Sequence, residues 1–202
     1  PIGITKAHNA GIPLAQPADA AVAITKIEYN PASGNQAEEF ICVTNPNPYA
    51  IDISDWKLAG GVEFAFRPGT VIPSNYALYV AADLNAFRAR ATTPRGGMGL
   101  FVQGPFRGQL SARGEPLTIT DNTGRLVCSN YFAGSPSLVQ QYLRITELMY
   151  NPSSWGGGAD AQQYEYVELR NISANVTLDL TGVYFANSIQ FAFTGAAITQ
   201  LA

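Results

Sequence analysis

Histidine is nearly missing from this 202-residue chain, which contains only His8. A single imidazole nearly excludes Ser-His-Asp arrangements and histidine-based metal sites, and His8 falls in an opening stretch without periodicity. Cysteine is almost as scarce. Cys42 and Cys128 have no Cys-x-x-Cys spacing and no neighbouring His, so neither zinc nor a disulfide framework is indicated. They fall in different expected strands of one repeat. That leaves two alternatives, one Cys42–Cys128 disulfide or two separate strand thiols.

Charge is sparse too. Asp, Glu, Lys and Arg make up 13% of the chain, about half the usual share, and the net charge is −3 with no Lys/Arg run. Nucleic acid is therefore not an expected partner. No apolar run approaches the roughly 20 residues that span a bilayer. The opening PIGITKAHNAGIPLAQPADA lacks the basic-then-apolar layout of a signal peptide, so the chain is expected to be soluble, and either mature or cut from something longer. Low charge with abundant Asn, Thr, Ser and Tyr leans toward a secreted protein.

What the chain does have is 47% hydrophobic residues, 19 Gly, 13 Pro, 10 Tyr and 10 Phe, a balance suited to a β-rich protein with many turns. Residues 1–21 read as an extended arm or linker, and patterning begins at Val22. From there short runs rich in Ile, Val, Tyr and Phe close on Pro, Gly or Asn, as in EEFICVTNPNP, AIDISDWKLAGG and NYALYVAA. Alternation sets Phe40 opposite Ile41 across the pleat. DNTG at Asp121 to Gly124, between LTIT and RLVC, predicts a hairpin, and only Ala81 to Arg90 looks helical. The pattern indicates a β-sandwich or barrel.

The chain also repeats itself. ITKIEYNP from Ile24 recurs as ITELMYNP from Ile145, EFICVTN from Glu39 as EYVELRN from Glu165, and IDISDWKLAGGVEFAF from Ile51 as LDLTGVYFANSIQFAF from Leu178. The offsets are 121, 126 and 127 positions, so the loops lengthen while the strands keep their register. This predicts a sandwich over 22–134, a linker over 135–143, and the front half of a second domain over 144–202. A sandwich lacking half its strands would expose an apolar face and unpaired edges, to be completed by further sequence or by another chain.

Taken in order, the motifs ITKIEYNP, EFICVTN, IDISDWKL, FAF, PSNYALYVA and the stretch Glu115 to Tyr131 resemble the lamin tail domain. The resemblance covers nearly all of the first repeat, and its front half recurs in the second. It implies a tandem immunoglobulin-like β-sandwich of the kind found in nuclear lamins and in secreted and surface proteins of bacteria and archaea. A long heptad rod and a basic region are both lacking, so the prokaryotic extracellular type is the better match. Lys26 replaces the acidic residue usual in the first motif, Cys42 stands where the second repeat has Glu168, and Val183 stands where the first has Trp56. The Glu-to-Cys exchange suggests that Cys42 points away from the main core, which favours Cys128 as its partner.

No catalytic constellation can be assembled, so no enzyme activity, catalytic residue or cofactor is expected. Glu39 and Asp52 are weak calcium candidates beside loop carbonyls, although strand-edge acids are usually solvated. RGGMGLFVQGPFRG, Arg95 to Gly108, lacks the Lys-Ser/Thr ending of a phosphate loop and reads as turns around a short strand. Trp56, Phe64, Phe66, Tyr76 and Tyr79 could form a glycan platform, but their strand positions favour the core. Trp155, in SSWGGGAD, is a candidate contact for a protein partner or glycan. Asn171 and Asn175 begin Asn-x-Ser/Thr sequons that matter only in a suitable secretory pathway. The expected function is a structural or adhesive module of an extracellular or cell-surface protein, with protein partners or self-association through β-edges and strand addition into a filament or surface array. The alternatives are an accessory pair cut from a larger secreted nuclease, phosphoesterase or spore-coat-type kinase, or a carbohydrate-binding module.

Overall fold

The computed structural model describes residues 15–153, 160–185 and 189–202. The chain divides after Ser135 into two compact units. The first begins with β1 (Ala23–Glu28), β2 (Phe40–Thr44), β3 (Ile51–Asp52), β4 (Lys57–Gly60), β5 (Val62–Ala65), β6 (Val71–Ile72) and β7 (Ala77–Ala81). A short helix α1 (Leu84–Ala89) leads to β8 (Phe101–Gln103), β9 (Arg107–Gly108), β10 (Glu115–Thr120) and β11 (Leu126–Phe132). Two sheets result, in the orders β1-β2-β7-β8 and β11-β10-β4-β5-β9, and β3 pairs separately with β6.

The period of two in β2 decides what lies between the sheets. Ile41 and Val43 point into the main core with Leu78 and Val80 of β7, and meet Leu58, Val62, Leu117 and Ile119 from the second sheet. Burying each such side chain contributes roughly 1.5–3 kcal/mol, so this interface is the principal source of the unit's stability. Trp56 and Phe66 lie in the same core. Tyr76 does not. It precedes β7 in the Pro73–Tyr76 turn, outside the alternation, and is 66% exposed, which corrects its expected place in the core.

On the other face of β2, Phe40 packs edge-on against Phe87 of α1, with ring centroids 5.5 Å apart. Helix α1 is shorter than the predicted Ala81–Arg90. Asp83 caps it by accepting from the amides of Asn85 and Ala86, and extended backbone at Arg90 ends it. The predicted hairpin is the β10–β11 pair. Asp121 Oδ1 accepts from the amides of Thr123 and Arg125 (2.9 Å each), and Gly124 takes φ +88°.

Residues 15–21, expected as arm, pack onto this unit. Gln16 exchanges hydrogen bonds with the Asp52 backbone (2.8 and 3.0 Å), and Ala20 is buried in the core.

The second unit contains α2 (Leu138–Tyr142), inside the expected linker, then β12 (Leu143–Met149), β13 (Tyr166–Asn171), β14 (Leu178–Asp179), β15 (Tyr184–Phe185), β16 (Phe191–Ala192) and β17 (Gln200–Leu201). These strands pair as β12-β13, β14-β17 and β15-β16. In β1–β2 the register shifts between Ile24 and Lys26; in β12–β13 it shifts between Ile145 and Glu147. Asn45 donates to the carbonyls of Tyr49 and Ile72 as Asn171 donates to those of Val176 and Leu201. Phe64 and Phe66 cross edge-on, as do Phe191 and Phe193, both at 86°. The repeated residues thus make the same local contacts in each unit.

Candidate functional site

The two cysteines lie on opposite sides of the first sheet. Ile41 and Val43 take the core face of β2, so Cys42 between them points to the other face, where it pairs in register with Tyr79. Cys128, on β11 of the second sheet, packs against the main core. Both are free thiols, the second of the two alternatives that the sequence leaves open. The inference that Cys42 faces away from the core is the reason it cannot reach Cys128.

The calcium candidates are also apart in their contacts. Asp52 Oδ1 accepts from the Ser54 amide (2.9 Å) and hydroxyl (2.5 Å), a local turn cap. Glu39 is 1% exposed, and its Oε2 accepts from the Leu110 amide at 3.1 Å while Oε1 has no hydrogen-bond partner among the described residues. Burial, reinforced by the nearby Glu115 carboxylate, pushes the Glu39 carboxyl up to about 7, against the pull of the Leu110 amide. Among the described residues, no group of three or more His, Cys, Asp and Glu side chains converges as metal ligands would. His8 and Trp155 lie outside the described residues.

Arg90 had no signal in the sequence beyond its charge. Its side chain is 2% exposed, ion-paired with Glu28 (3.3 Å) and Glu38 (3.7 Å), and donates to the Glu38 and Pro94 carbonyls at 2.7 and 3.0 Å. The guanidinium also lies 4.9 Å from the Phe40 ring centroid. It clamps the loop before β2 to the segment after α1.

Among the described residues, two surfaces stand out as open to a partner. In the first unit, a cleft of about 630 Å³ opens beside β4 and β5, where the chain passes Gly104–Pro105 before entering β9. Lys57, Arg67 and Arg107 line it with Glu63 and Phe64. In the second unit, an apolar groove of about 740 Å³ is lined by Leu148, Val167, Leu169, Phe185 and Phe193, among others.

The family model for the lamin tail domain matches residues 15–132, more than half of the chain. The chain belongs to the lamin tail domain family. The matched span is the first unit from the Gln16–Asp52 contact to the end of β11, so the lamin tail domain here is the immunoglobulin-like sandwich of that unit. Domains of this family are non-catalytic interaction modules, which fits a site made of strand edges and clefts. No curated protein matches the chain. No described helix is long and apolar enough to cross a membrane.

Proposed function

We propose that the chain is a structural and adhesive module of an extracellular or cell-surface protein of the prokaryotic type. In this reading its second unit is the front part of a further lamin tail domain whose open edges and groove take added β-strands, as in a filament or surface array. The observation that carries this reading is the difference in exposure at matched positions. Ile24 is 5% exposed and its counterpart Ile145 is 62% exposed, although both lie at the same point in the same register shift. Leu58 is 1% exposed beneath the first sheet, whereas Phe185 at the matching position lines the open groove.

The first unit indicates what kind of element fits. There β7 pairs with the outer edge of β2, and β10 with the outer edge of β4. Among the described residues, β13 and β15 have no strand on the corresponding edges. Strand addition satisfies the backbone of such an edge while alternate side chains fill the groove.

Sedimentation velocity on the full chain, combined with amide exchange, tests this. The expected result is self-association, with the amides of β13 and β15 exchanging quickly in dilute protein and becoming protected on assembly. A chain that stays monomeric with those amides already protected would overturn it.

A further inference from the structure

The net charge is not spread evenly. The first unit has ten basic and ten acidic residues, whereas the second has Arg144 and Arg170 against Glu147, Asp160, Glu165, Glu168 and Asp179, which leaves −3. All the whole chain's net charge therefore comes from its second unit. The three ion pairs among the described residues all lie in the first unit.

Within the second unit, two carboxylates face each other. Glu147 and Glu168 are direct cross-strand partners in β12–β13, where like charges oppose pairing. Each is relieved only by a hydroxyl: Tyr166 donates to Glu147 and Thr146 to Glu168. Among the described residues, neither forms an ion pair. The first unit has Lys26 opposite Cys42 at the matching positions, so this acidic pair belongs to the second unit alone.

The first unit carries the opposite surface. Three of the chain's twelve basic residues line the cleft beside Phe64, and Glu63 is the sole carboxylate among its lining residues. The Arg67 guanidinium is held by the Gly104 carbonyl at 3.1 Å. Lys57 and Arg107 are exposed, and among the described residues no hydrogen bond or ion pair engages either side chain. Glu63 lies across the β5–β9 pair from Arg107 without forming an ion pair with it. The edge of β5 at Phe64–Ala65 also runs past the end of β9, so backbone groups border the same cleft.

We infer that copies of the chain associate head to tail, with the Glu147–Glu168 pair of one copy seated on Lys57, Arg67 and Arg107 of the next. This deepens the assembly reading above and rests on it. The basis is charge complementarity between two surfaces whose named charges form no ion pair among the described residues. The two surfaces differ, so the contact is heterologous: each copy keeps one free surface of each kind, and growth continues into an open chain. Such a contact is sensitive to salt, unlike apolar strand addition.

Sedimentation velocity on the full chain in 20 mM and 500 mM NaCl tests it, with the variants Lys57→Glu/Arg107→Glu and Glu147→Lys/Glu168→Lys. These four residues are exposed, and near-ultraviolet circular dichroism checks that each variant keeps its fold. The expected result is association at least tenfold weaker in high salt and in either variant alone, and restored when the two variants are mixed. Association that is indifferent to salt and to both variants would overturn the charged contact while leaving strand addition standing; a monomer under every condition would overturn both. A mixture that fails to restore association overturns the pairing of these two surfaces. A labelled hexaglutamate peptide that binds while the chain stays monomeric at low salt overturns the second copy as occupant and assigns the cleft to a free acidic segment. If a variant does not fold, the salt dependence of the natural chain decides alone.

Discussion

Glu39 and Leu110 join the start of β2 to the segment before β10 through one hydrogen bond, 3.1 Å from the Leu110 amide to Oε2, while the other carboxylate oxygen is buried with no partner among the described residues. The loop beyond repeats the device, with the Ser111 amide donating to Glu115 at 2.9 Å. Two carboxylates thus anchor consecutive amides, and the more buried one bears the desolvation cost.

That cost gives a pH dependence. The folded-state pKa of Glu39 is raised to about 7 from an ordinary 4.5, so the native state binds the proton more tightly than the unfolded chain. Its contribution favours folding fully below about pH 4.5 and is lost as pH rises through 7, a change of about 3 kcal/mol at 1.36 kcal/mol per unit. Denaturant unfolding at pH 4.5, 6 and 8 should show Glu39→Gln gaining on the natural chain as pH rises. A difference that is constant across those pH values would refute the assignment.

Asn45 is 1% exposed, and its amide donates to three carbonyls, those of Tyr49, Ile72 and Pro73, while its oxygen accepts from the Asn47 amide. Asn45→Ala leaves these groups unsatisfied and should cost about 3 kcal/mol or more, measured by chemical denaturation. Asn47→Ala keeps that backbone amide and removes only the Nδ2 bonds to Asn45 Oδ1 and the Ala21 carbonyl, so it should cost less.

Arg90→Lys retains the charge but not the fork that reaches two carbonyls and two carboxylates. It should destabilise by about 2–4 kcal/mol, and Arg90→Ala by more, because Glu28 and Glu38 are then left without their cation. Equal melting temperatures for Arg90→Lys and the natural chain would argue against the clamp.

Two glycines separate close approach from backbone conformation. At Gly60, with φ +140°, an added Cβ would sit 2.3 Å from the Pro116 carbonyl oxygen, whereas at Gly69, with φ +80°, it would meet nothing within 4 Å. Gly69→Ala should cost about 1 kcal/mol from conformation alone. Gly60→Ala should cost clearly more and disturb the β4–β10 pairing, seen as faster amide exchange along Leu58 and Ile119.

With both thiols free, reductant should leave the melting temperature unchanged, and Cys128→Ser should not alter the oxidised chain's mobility on a non-reducing gel. A reductant-dependent fall of several degrees would restore the disulfide.

Much of the sandwich is legible in the residues. Alternation through FICVT assigns Ile41 and Val43 to the core, DNTG marks the β10–β11 turn, and the ordered motifs point to the lamin tail family because each is a local pattern with a local cause. Tyr76 was misplaced because its neighbours alternate while it belongs to a turn. The choice between a Cys42–Cys128 bond and two separate thiols was not legible for a related reason: a strand position shows which face a side chain takes but not which sheet lies over that face.

The sequence by itself determined most of the strand runs, the alternation of faces within them, the family and the recurrence of ITKIEYNP as ITELMYNP, all of which depend on neighbours within a few residues or on direct comparison of segments. Only the tertiary structure decided that Glu39 is buried with an orphan oxygen, that Arg90 bridges Glu28, Glu38 and Pro94, and that Lys57, Arg67 and Arg107 share a cleft. Those relationships join residues up to 71 positions apart, and long-range closure and desolvation leave no mark on the local pattern.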